Sequence, residues 1–247
     1  MAPKQIYDNA KVCVKCKQKG GTIFTQKGNL LIAKCGSSNP CSLNIQLERA
    51  VYKNITDEFL DIINTLNDFK KEGLIRAIGV SNETCWGVMK LNEIIKDIEN
   101  LCIASIQNEY SLMCRLFDND FNELSINENI PLLAYSPLAR GLLTGKYIGN
   151  KIPEGSRLSR DDKIRKIVNE NSDLAVKSYC SLASKYNIDP VHMSLAFCNE
   201  RPFMGSVIFG ATDITQLRKI LAGINLKLDS EINDEIQILY KKFPLTF

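Results

Sequence analysis

Two stretches of the 247-residue chain carry residue types that do chemistry. The first is Cys13-Val-Lys-Cys16, eighteen residues, then Cys35-Gly-Ser-Ser-Asn-Pro-Cys41, a C-x2-C pair followed by a C-x5-C pair. A thiolate pair on a tight turn supplies two ligands of a tetrahedral Zn²⁺, and a second pair completes the four. Such a site is structural, because four cysteines leave no open position for a substrate. The alternative is four unrelated reduced thiols. The second stretch is LLAYSPLARGLLTGKY, Leu132 to Tyr147. An apolar run empties into a loop of small residues closed by a lysine. Backbone N–H groups, a hydroxyl and a nearby cation suit an anion, most often a phosphate. A tight crossover whose glycines only relieve crowding is the plainer reading.

Both stretches need elements to hold them, and charge shows where these divide. Residues 1–53 contain nine Lys/Arg against two acidic residues, a net +7, whereas the remainder holds 22 Lys/Arg and 26 Asp/Glu, a net −4. Two modules are expected, 1–53 and 54–247. Hydrophobic content of 45% and charged content of 24% are those of a soluble globular protein. No apolar run reaches the length of a membrane span. The N-terminus MAPKQIYDNA lacks a signal peptide's apolar core, and nine cysteines without an export signal point to a reducing, cytoplasmic setting. The five cysteines outside the two pairs are expected to be mostly buried.

In the first module GTIFTQKGNLLIAK reads as two short strands turned at Lys27-Gly28-Asn29, which brings the cysteine pairs together. The pattern resembles a zinc ribbon, with a second knuckle wider than usual. Its basic charge, with Tyr7, Phe24 and Tyr52, could grip phosphate and stack a base of nucleic acid, or meet an acidic partner. Lysines are equally the solvated surface of a small ribbon. In the second module Thr56 can cap a helix carrying Phe59, Ile62, Ile63, Leu66 and Phe69 until Gly73 stops it. Strand-like runs follow at 75–81, 102–110, 132–137 and 206–211, separated by helical patterns. This alternation predicts parallel βα units.

Five blocks, GLIRAIGVSNET, SIQNEYSL, LLAYSPLARGLLTGKY, PEGSR and DPVHMSLAFCNERPFMGSVIFGATDITQL, resemble aldo-keto reductases in order and spacing, from about Asp57 to about Leu239. The last block is most similar to the Tas-type branch. The resemblance implies an α/β fold, the C-terminal half of a TIM (β/α)8 barrel, with NADP(H) lying across the carboxyl ends of the strands. It places Ser81, Asn82 and Gln107 at the nicotinamide amide and Tyr135 under the nicotinamide ring. Ser136, Leu138, Gly141 and Lys146 fall on the pyrophosphate loop, with Arg157 as its basic anchor. Gly210, Thr212 and Gln216 fall near the adenosine phosphate. After Gln216 the chain reads Leu217-Arg218-Lys219-Ile220, so an Ile stands where the family places an Asn-like contact, and Arg218 is the candidate to compensate.

The family's chemistry uses an Asp, Tyr, Lys and His from the first half of the barrel, the Tyr protonating the carbonyl oxygen as hydride arrives. The one histidine, His192, lies in the late block DPVHMSLAF. The resemblance therefore implies a half-barrel without that tetrad, inactive alone. Such a sheet is expected to expose two edges and an apolar inner face, to be covered by a second copy or by a separate first-half chain.

Overall fold

The computed structural model describes residues 12–13, 15–27, 30–48, 55–160 and 168–244. Gly28 and Asn29 of the expected turn, with Tyr7 and Tyr52, lie outside them. The chain divides into two units, Met1–Glu58 and Phe59–Phe247.

The first unit holds an antiparallel sheet of β1 (Thr22–Lys27), β2 (Leu30–Cys35) and β3 (Asn44–Glu48) in the order β1-β2-β3. The third strand is an addition to the expected hairpin. Phe24, Ala33 and Ile45 share one rung across it. Among the described residues the buried cluster of this unit is Cys13, Cys35 and Leu43, with Cys16 and Cys41 packed against them. Gly20 and Gly36 bring the two knuckles together backbone to backbone, since a Cβ on either would lie 2.4 Å from the other's carbonyl oxygen.

Helix α1 (Ile55–Lys71) begins two residues before the expected first position, Asp57, so Thr56 lies inside its first turn. It ends as the sequence predicts. Gly73 takes φ +75°, and the Leu74 N–H donates to the Phe69 carbonyl to close the last turn. Four strands follow: β4 (Ile78–Ser81), β5 (Ile103–Glu109), β6 (Leu132–Tyr135) and β7 (Met204–Val207). All neighbours run parallel in the order β4-β5-β6-β7. Between and after them lie α2 (Cys85–Ile95), α3 (Asp120–Asn127), the single turn α4 (Arg157–Arg160), α5 (Glu170–Lys185), α6 (Pro190–Asn199), α7 (Ile214–Ala222) and α8 (Ser230–Lys242). This is the βα succession of one part of a TIM barrel. The first strand is shorter than predicted, because Ile75, Arg76 and Ala77 lie outside the ladder.

One face of the sheet packs on the core through half-buried Val80 and buried Ile106, Leu132 and Ala134. The opposite face corrects an expectation. Gly79, Ser81 and Ser206 are exposed there and Ser105 and Gln107 half-buried, with Leu133 the one aliphatic side chain. The open inner face is small and polar rather than apolar. A second correction concerns the thiols: of the five cysteines outside the two pairs only Cys198 is buried, and Cys102 is exposed.

Behind the sheet a charged group is held in the core. Arg115, 5% exposed, donates from Nε to Asp118 Oδ2 at 2.6 Å and from Nη1 to Gln237 Oε1 at 3.2 Å. The Tyr110 hydroxyl donates to Asp118 Oδ1 at 2.6 Å, and the guanidinium lies 4.2 Å from the Tyr240 ring centre. Removing one partner of a buried ion pair strands the other charge, which typically costs about 3–5 kcal/mol. Asp118→Ala is therefore expected to lower stability by about 3 kcal/mol. The urea midpoint checks this, and a loss under about 1 kcal/mol would show that water reaches Arg115 freely.

Candidate functional site

The carboxyl ends of β4, β5 and β6 gather four of the residues marked in the sequence. Asn82 follows β4 with φ +54°, and its N–H lies 2.8 Å from Asn108 Oδ1. The Tyr135 hydroxyl donates to Asn82 Oδ1 at 2.9 Å. The Ser81 hydroxyl donates to the Gln107 carbonyl at 3.0 Å, and Asn82 Nδ2 donates to Ser81 Oγ at 3.2 Å. Three adjacent strand ends are thus tied into one polar network. Burial raises the Tyr135 phenol above its usual pKa, and the Glu109 carboxylate adds to this, so the ring is neutral at pH 7.

Beyond Tyr135 the chain makes the glycine-containing loop. Ala139, Leu142 and Leu143 are buried in the core, while Arg140, Gly141, Thr144 and Lys146 line a cleft. The alternation is possible because the backbone turns left-handed repeatedly. φ is +55° at Ser136, +47° at Ala139, +58° at Arg140, +93° at Gly141 and +77° at Gly145. Non-glycine residues there are strained and persist only where their surroundings fix them. Leu138 O accepts from both Gly141 N and Leu143 N.

The cleft has a volume of about 870 Å³. Its other walls are the Pro153–Arg160 segment and the turn after β7, from Ile208 to Thr212, with Gln216, Lys219 and Ile220 of α7. Eight marked residues therefore line one space: Ser136, Leu138, Gly141, Lys146, Arg157, Gly210, Thr212 and Gln216. Gln216 Oε1 accepts from Thr212 N at 3.1 Å. Five cationic side chains (Arg140, Lys146, Arg157, Arg160 and Lys219) face one carboxylate, Glu154, so the cleft favours an anion. Lys219 is partly neutralised by Asp189 at 2.8 Å and Arg140 by Glu109 at 3.0 Å, which leaves Lys146, Arg157 and Arg160 against Glu154.

Several lining residues escaped the reading of the sequence. Arg140 went unmarked within the loop, and Ser156 sits unmarked beside Arg157 although its buried hydroxyl has no partner among the described residues. Lys219, not Arg218, faces the cleft; Arg218 is exposed and does not line it. Ile220, only 7% exposed, forms an apolar patch of wall. The 3.6-residue period of α7 carried the signal, since it puts Gln216, Lys219 and Ile220 on one face.

In the first unit the four thiols of Cys13, Cys16, Cys35 and Cys41 lie within 4.8 Å of one another. Cys13 and Cys41 sulfurs are 3.8 Å apart, as are those of Cys16 and Cys35. A tetrahedron with metal–sulfur bonds of about 2.3 Å has edges of about 3.8 Å, so the set could hold a metal ion. The Ser37 hydroxyl, 3.0 Å from Cys35, and backbone N–H groups hold that thiol down to about 6, which favours the thiolate a metal requires.

The family model for the aldo/keto reductase family matches residues 31–241. The chain belongs to the aldo/keto reductase family. The Tas protein of Escherichia coli K12 is 36% identical over 184 residues, covering 74% of this chain and 53% of Tas. An aldo-keto reductase of Babesia bovis is 34% identical over 185 residues, 70% of this chain and 65% of that protein. An NADH-specific methylglyoxal reductase of E. coli K12 is 28% identical over 168 residues, 68% of this chain and 49% of that enzyme. The chain spans about half the length of most of these relatives. The family match starts within β2 of the first unit, earlier than the resemblance at Asp57. Among the described residues no helix is long and apolar enough to cross a membrane.

Proposed function

We propose that the β/α unit binds an NADP(H)-type dinucleotide, with the nicotinamide at the Ser81–Asn82–Gln107–Tyr135 network and the pyrophosphate in the cationic cleft. The observation that carries this reading is the convergence of eight marked residues and five cations on one cleft at the strand ends. The cofactor supplies hydride. This chain's part is to orient its ring on Tyr135, hold its amide by the asparagine and glutamine groups, and neutralise its phosphates with Lys146 and Arg157. Family membership supports aldehyde or ketone reduction as the ancestral chemistry, with the proton donor supplied by a first-half barrel segment outside Phe59–Phe247. Fluorescence titration with NADPH tests the binding step. Saturable quenching is expected, and its absence at millimolar cofactor would sink the reading. Tyr135→Ala and Lys146→Ala should each weaken binding roughly three- to tenfold, through lost ring contact and lost phosphate charge respectively.

The four-cysteine cluster is proposed as a structural zinc site in a ribbon-like module, with Cys13, Cys16, Cys35 and Cys41 as ligands; native mass spectrometry of the freshly purified protein should find one zinc. Nine cysteines, four of them gathered in one cluster, favour a reducing compartment such as the cytoplasm. A second role for this module, binding nucleic acid, is favoured by the exposed Lys15, Lys17 and Lys19 beside the first knuckle and by Phe24, 51% exposed. Anisotropy with a single-stranded oligonucleotide should then fall steeply with salt; no binding at low salt would remove it.

A further inference from the structure

Glu109 and Arg140 occupy the ground between the two halves of this site. Glu109 ends β5 and pairs in register with Tyr135, the residue that closes the polar network. Its Oε2 accepts from Arg140 Nη2 at 3.0 Å, with the two side chains only 16% and 27% exposed. By contrast the Lys71–Asp68 pair is over two-thirds exposed on both sides and is worth little. Arg140 lies in the strained run of left-handed residues, at φ +58°, and lines the cleft. Something must hold that backbone in place. The aliphatic anchors Ala139, Leu142 and Leu143 fix the loop's depth, but none of them fixes the direction of Arg140. A part-buried, charge-assisted hydrogen bond to a rigid strand end does. The second carboxylate oxygen, Oε1, is buried and without a partner among the described residues, so the group is held in a costly position that solvation alone would not select.

We propose that Glu109 is a positioning residue: through Arg140 it locks the 138–145 turn and joins the nicotinamide network to the anion cleft. Its consequence for ligand affinity rests on the dinucleotide reading above, but its consequence for the turn does not.

The test uses the full chain carrying Glu109→Gln, Arg140→Gln and the double change, each melted against wild type to confirm a folded β/α unit. Without ligand, amide hydrogen exchange at Gly141, Leu143 and Gly145, which close the turn onto Leu138 and Leu142, should speed up at least tenfold in Glu109→Gln. The Ile106 amide, bonded to Pro131 O in the sheet, should not change. The double variant should exchange no faster than either single one, because both remove the same contact. Unchanged exchange in the turn, or additive effects, would overturn the proposal. With NADPH, Glu109→Gln should bind at least fivefold more weakly despite the loss of a negative charge near the phosphates. Tighter binding would show that the carboxylate merely repels the anion, and would also overturn it. If wild type binds no NADPH, the dinucleotide reading falls while the exchange result still decides the role of Glu109.

Discussion

A chelator strong enough to strip zinc is expected to unfold the first unit and leave the second standing. The reason lies in the core. Among the described residues the buried cluster of the first unit is Cys13, Cys35 and Leu43, with Cys16 and Cys41 against them. Without the metal these thiols gain almost nothing from burial, and a chain segment this short rarely holds a fold on apolar area alone. Structural zinc contributes about 10–16 kcal/mol of binding free energy at neutral pH, far more than such a core could replace. Cys35→Ser should act like the chelator. Far-UV circular dichroism should lose the antiparallel β signal while the β/α unit keeps its own melting transition. A single unchanged melt in the presence of chelator would show that the thiols hold no stabilising metal.

The same unit shows what the sequence disclosed and what it hid. Cysteine spacing announced the cluster because a tetrahedral site needs two tight turns, and turns leave short, countable intervals. The strand Asn44–Glu48 was hidden, since NIQLE has a mixed pattern that pairing with β2, not propensity, turns into a strand. In the second unit the strands were readable from apolar runs bounded by turns, and Gly73 ended its helix where a left-handed residue was needed. Ile75 to Ala77 looked like strand but lacks ladder partners, a fact about neighbours rather than about those residues. The cleft followed the same rule. Residues carried by local motifs, such as Gly141 and Lys146, were visible. Glu109 and Arg140, thirty-one positions apart, meet only because β5 lies beside β6.

The second large effect concerns chemistry. The chain assayed alone with NADPH should reduce no aldehyde or ketone above background. Hydride arriving at a carbonyl carbon builds negative charge on the oxygen, which requires a positioned proton donor. At the strand ends the Tyr135 hydroxyl donates to Asn82 Oδ1, and burial raises its pKa, which makes it a weaker acid. The single histidine faces away from this task, its Nε2 2.6 Å from the Lys219 carbonyl. Without a positioned acid the rate is expected to fall on the order of 10²–10⁴-fold. Turnover of a test aldehyde that disappears in Tyr135→Phe would refute the expectation and make Tyr135 the donor. Turnover restored by adding a first-half barrel polypeptide would support the proposed division of labour.

The small, polar open face of the four-stranded sheet bears on how such a protein can arise. A barrel is hard to divide when its interior is greasy, because each piece must then hide a sticky surface or precipitate. Here Gly79, Ser81, Ser105 and Ser206 face the opening, and both edge strands are only four residues long. Short edges and a hydrophilic seam give little purchase for cross-chain aggregation. A β/α unit with such a seam can therefore stand beside another module without first evolving a new surface.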